Sequence, residues 1–110
     1  MTINESIGML QRLYLEQIIN GIKLRVIASN GSTREEVETL KAEARRIEAD
    51  IYPVARNLCE RNLGEFADIA RLGAYRAFIS SANEKEAEMA KRDYGNILKQ
   101  MQARQHHQRK

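Results

Sequence analysis

The sequence predicts an all-α fold, a small bundle of four main helices, and three observations carry that expectation. Apolar residues recur in steps of three and four through every long segment and nowhere alternate one by one as a half-buried strand requires. The composition is rich in helix formers, with one proline and no tryptophan among 110 residues. Short stretches of turn-forming residues, "ASNGST", "RNLGE" and "SSAN", cut the chain three times and leave four helical segments between them.

The first helix starts at a capping box. Thr2 and Glu5 have the spacing at which a hydroxyl and a carboxylate satisfy orphan backbone donors. Asn30 or Gly31 is expected to close it in the left-handed conformation. Ser32 with Glu35, or Thr33 with Glu36, opens the next helix. That second helix has the clearest pattern in the chain: Val37, Leu40, Ala44, Ile47, Ile51, Val54 and Leu58 form one seam. Arg34 with Glu38, Arg46 with Asp50, and Arg56 with Glu60 are four apart and suited to pairing on its solvent side. Pro53 lies inside the pattern and is expected to kink the helix near residues 49–53 rather than end it, because the seam keeps its phase.

The third helix, from Gly64 or Glu65 to about Ser81, carries Phe66, Ile69, Ala70, Gly73 and Ala77 on one side. Leu72, Tyr75 and Ile79 lie on the other, so a central position is expected. Ser81 or Asn83 caps a fourth helix, whose first turns hold Glu84, Glu86 and Glu88 where the helix dipole favours acids. Its seam is Ala87, Ala90, Tyr94, Ile97 and Met101. The apolar signal ends there, so the division expected is a helical-bundle domain over 1–101 and a disordered, basic His/Gln-rich tail over 102–110.

The first helix carries two apolar faces. Leu15, Ile18, Ile19, Ile22 and Val26 cluster on one side and are expected to meet the chain's own core. Ile3, Ser6, Leu10, Leu13, Gln17, Asn20, Leu24 and Ile27 form a second seam with polar residues at its middle. Either both faces are buried with this helix at the centre of the bundle, or the second seam belongs to another copy of the chain or a different protein. The second option is favoured here, since four helices of this size have little with which to cover so much apolar surface. It makes Leu10, Leu13, Gln17, Asn20, Leu24 and Ile27 the expected protein interface, with a closed homodimer the first partner to consider.

The chemistry that the side chains exclude is informative. A net charge of +3 invites a nucleic-acid reading, but the last twelve residues, "KQMQARQHHQRK", hold four basic residues and no acid, leaving 14 basic against 15 acidic residues elsewhere. Lys91, Arg92, Lys99, Arg104, Arg109 and Lys110 could form a phosphate-gripping strip along the last helix and tail, the alternative function. A helix-turn-helix in "EFADIARLGAYRAFISS" is not favoured, because no polar cap follows Gly73 and the segment reads as one helix.

His106 and His107 are neighbours in the tail and Cys59 is remote from them. Neither a metal centre nor a Cys–His nucleophile is therefore expected, and no glycine-rich phosphate loop is present. Cys59 is expected to be a small packing residue at the core edge. No catalytic residue and no cofactor is assigned. The lone cysteine, the absence of an apolar run of membrane-spanning length and the acidic start of the chain fit a cytoplasmic protein away from membranes. The expected function is a non-catalytic interaction protein, an adaptor or inhibitor acting through apolar helix faces. An enzyme using carboxylates that the sequence does not single out is the weakest alternative.

Overall fold

A computed structural model describes residues 1–31 and 33–108. Four helices follow one another: α1 (Ile3–Ser29), α2 (Arg34–Glu60), α3 (Gly64–Ser81) and α4 (Glu84–Gln108). They pack into a body of 45 × 27 × 25 Å.

The helix ends follow local chemistry. Thr2 caps α1 through the full box: its hydroxyl accepts from the Glu5 amide at 3.1 Å, and the Thr2 amide donates to the Glu5 carboxylate at 3.3 Å. The Thr2 hydroxyl first, and its amide second, hold the Glu5 carboxyl below its ordinary pKa of 4.5. Gly31 supplies the positive φ, +74°, that turns the chain out of α1. Of the two caps available to α2 it is Thr33 that accepts from Glu36. Asn62 takes the left-handed conformation at φ 61° between α2 and α3. Asn83 accepts from Glu86 at 2.9 Å to open α4.

Helix α2 runs through Pro53 without a break. Arg46 pairs with Asp50 at 2.9 Å and Arg56 with Glu60 at 2.9 Å, as spaced; Arg46 also reaches Glu43 and Glu16. The Arg46 guanidinium holds the Glu43 carboxyl below its usual range. Helix α4 continues past Met101 to Gln108, so the expected boundary at residue 101 is not a helix end. Gln102, Ala103 and Arg104 are good helix formers, and Arg104 anchors the extension to Asp68 of α3 at 3.4 Å.

The helices alternate in direction. Asn20 Nδ2 donates to the Leu40 carbonyl at 3.0 Å while Glu16, a turn earlier on α1, pairs with Arg46, later on α2, so the two helices run antiparallel. Arg76 meets Tyr94 while Asp68, earlier on α3, pairs with Arg104, later on α4, so these two run antiparallel as well, and Arg25 ties α1 to Asp93 of α4 at 2.7 Å. Helices α1 and α3 are the parallel, central pair: Leu10 packs with Ala67 and Ala70, and further along both helices Ile18 and Ile22 pack with Ala74 and Phe78. The small residues of α3 let these two helices come close, to the point that a Cβ added at Gly73 would sit 3.3 Å from Gln11 Nε2. Among the described residues α2 and α4 do not pack against each other; each lies against the central pair from its own side.

Two cores result. Leu10, Leu13, Ile47, Ile51, Leu58, Ala67 and Ala70 join α1, α2 and α3. Ile18, Ile22, Ala74, Tyr75, Phe78, Ala90, Ile97 and Met101 join α1, α3 and α4. The buried side of α3 is therefore Ala67, Ala70, Ala74, Tyr75 and Phe78. This corrects the expected face: Ile69 is 51% exposed and Ala77 is exposed as well. Ile19, expected in the core, is 37% exposed. The second face of α1 is buried at Ser6, Leu10, Leu13 and Asn20 and half-buried at Ile3, Gln17, Leu24 and Ile27, and no helix of the described residues is long and apolar enough to cross a membrane.

Candidate functional site

The six residues expected to form an interface with another chain divide into two groups. Leu10, Leu13 and Asn20 are buried within this chain, the leucines against α2 and α3 and Asn20 against α2, which corrects their assignment. The physical reason is length: α2 matches α1 at 27 residues, runs antiparallel to it and brings a complementary seam. The polar centre of the seam fixes register inside the molecule, since the Asn20 amide is spent on the Leu40 carbonyl. Gln17, Leu24 and Ile27 remain half-buried.

The second group marks an opening. Beyond the Asn20–Leu40 bond, Leu24 and Ile27 of α1 stand level with the first turns of α2, which hold Val37; these three, Leu40 at the bond and Ala44 one turn to its other side are all half-buried. None belongs to either core or to the side chains packed around them. Here α1 and α2 form a layer of two helices, and two helices cover each other only along their line of contact. The seam of α2 records this as a gradient: Ile47, Ile51 and Leu58 are buried, whereas Val37, Leu40 and Ala44 are not.

A groove of about 750 Å³ lies across this end, lined by Lys23, Ile27, Thr33, Glu35, Glu36, Thr39 and Leu40. One wall is apolar and cationic, the other apolar and anionic. Lys23, Glu35 and Glu36 form no ion pair with any described residue.

A second concavity, of about 870 Å³, opens where α2 and α4 stand apart on either side of α3. Ala55, Cys59, Ile69, Leu72, Met101 and Arg104 line it, together with Tyr14. The Arg71 guanidinium lies 5.9 Å from the centre of the Tyr14 ring, and its Nε is buried without a hydrogen-bond partner among the described residues. Burial pushes the Tyr14 phenol above its ordinary pKa of 10.0, and the Arg71 charge pulls it part of the way back. Cys59, expected as a packing residue, is exposed at the lip, because Leu58 rather than its neighbour points into the core.

Only part of the basic strip lies among the described residues. Lys91, Arg92 and Lys99 are exposed on α4, while Arg104 is engaged by Asp68. Arg109 and Lys110 lie outside the described residues. Helix α3 is uninterrupted from Gly64 to Ser81, the single helix read in the sequence in preference to a helix-turn-helix. Among the described residues no three His, Cys, Asp or Glu side chains gather as a metal-holding group.

Of the two concavities, the groove on the α1–α2 layer is the one continuous with the expected interface. The sequence signal for it was present in the half of each seam lying beyond Asn20, but nothing in the spacing separates that half from the buried one. Compared with models of protein families, with curated proteins and with solved structures, the chain matches none.

Proposed function

We propose that this chain is a non-catalytic interaction protein, an adaptor or inhibitor that binds a partner's apolar helical surface at the open end of its α1–α2 layer. The observation that carries the proposal is the placement of Leu24, Ile27, Val37, Leu40 and Ala44, half-exposed and outside both cores. A helix with an apolar stripe of its own would complete the layer, as helices do in bundles. Several of the acids are engaged structurally, Glu5 in a cap and Glu43, Asp50 and Glu60 in ion pairs with neighbouring arginines, which favours a structural over a catalytic use of them. A cytoplasmic setting fits this role and belongs to the same proposal.

Photo-crosslinking tests it. A benzophenone amino acid placed at Ile27, and separately at Thr39, should give a discrete adduct in native extract. The same group at Arg12, exposed on α1, should give none. Adducts at none of the three positions, or equally at all of them, would remove the proposal.

A further inference from the structure

We infer that the partner seated on the α1–α2 groove is a second copy of this chain, docked about a two-fold axis that runs along the helices. The inference rests on the interaction role proposed above and names its partner. Its ground is the charge pattern of the groove. The antiparallel register fixed by the Asn20–Leu40 bond brings Lys23 of α1 level with the first turn of α2, where Glu35 and Glu36 stand. The cation is on one wall and the acids are on the other, and none of the three is paired with a described residue.

A two-fold axis parallel to the helices carries the α1 wall of one copy onto the α2 wall of the other without changing its level. Lys23 of each copy then faces Glu35 and Glu36 of its mate, twice over, while Leu24 stands level with Val37 across the axis. A surface with opposite charges on opposite walls is complementary to itself under this operation, which is what a closed pair of identical subunits requires. The product is a four-helix layer pair in which every neighbour is antiparallel, so the seams left half-covered in one copy close on those of the other.

The test uses the full chain and light scattering over a concentration series. The expected mass at high concentration is twice the chain's 12.6 kDa. Leu24→Glu should weaken association at least about tenfold, since a carboxylate would be buried in the apolar seam. Lys23→Glu alone and Glu36→Lys alone should each weaken it to a similar extent, by placing like charges opposite one another. An equimolar mixture of those two variants should associate again, because each mutated wall then faces its opposite. Neither exchange touches a core residue, and circular dichroism verifies the helical fold of each variant.

A wild-type chain that keeps the single-chain mass throughout, or a mixture no better than its components, overturns the inference. Its failure is separable from that of the interaction role. A crosslink at Ile27 to a protein of different mass would refute self-association and leave the role standing, whereas no crosslink at all would refute both.

Discussion

Truncating one leucine on each side of Asn20 distinguishes the closed half of the α1–α2 seam from the open half. Leu10 is fully buried, so Leu10→Ala withdraws three carbons from a packed interior. At about 0.8 kcal/mol for each buried carbon the transfer loss is about 2.4 kcal/mol, and the cavity left behind raises it to about 3 to 4 kcal/mol. Leu24 is half-buried and lies outside both cores. Leu24→Ala leaves no closed void and gives up roughly half the transfer term, about 1 kcal/mol.

Urea unfolding at low protein concentration reads both variants. With a slope of about 1.5 kcal/mol/M the midpoints should fall by about 2 M and about 0.7 M respectively. Raising the concentration should enlarge the Leu24→Ala effect and leave that of Leu10→Ala unchanged, since only the former touches a face offered to another chain. Equal losses at low concentration would refute the division of the seam, as would a Leu10→Ala loss below about 1 kcal/mol.

Three further outcomes are expected. Gly8→Ala and Gly95→Ala should each raise stability by about 0.5 to 1 kcal/mol in thermal unfolding, because both glycines are inside helices and an added methyl meets nothing within 4 Å. The Glu5 carboxyl should titrate by NMR below its ordinary value of 4.5, and Thr2→Val should return it towards that value; because folding lowers this pKa, the cap contributes stability above the unfolded pKa and loses it as pH falls through the folded one. Arg71→Met should move the Tyr14 titration further upward by removing the charge that opposes burial. Tyr14 and Tyr75 are both raised by burial, so the stability tied to them is complete below pH 10.0 and lost as pH rises through their folded values.

The parts of this fold governed by local chemistry were legible in the sequence. Thr2 with Glu5 marks the start of α1, and Thr33 and Asn83 are each one of the two caps the sequence offers for α2 and α4, because capping needs only residues three apart. The α2 seam was legible because its apolar residues stand among charged ones and leave a single choice of face. Helix α3 offered no such contrast: Phe66, Ala67, Ile69, Leu72, Ala74 and Tyr75 ring its circumference, so its rotation was set by α1 and the outward positions of Ile69 and Ala77 were not marked by the pattern.

The second seam of α1 was legible as a seam but not as to its partner. A three-four repeat looks the same whether the complementary helix comes from 40 residues along the chain or from another molecule. The end of α4 was misplaced for a different reason, since a helix propagates through Gln, Ala and Arg without apolar help.

The separation of α2 from α4 has a bearing on how the molecule tolerates change. Its two interiors share the α1–α3 pair as a common wall, and Tyr14 packs against both. Substitutions at Ile51 and at Ile97 should therefore add in their effect on stability, as distant sites do, so the two halves can drift in sequence without waiting for each other. Tyr14 is where that independence ends, and a change there is felt by the whole bundle.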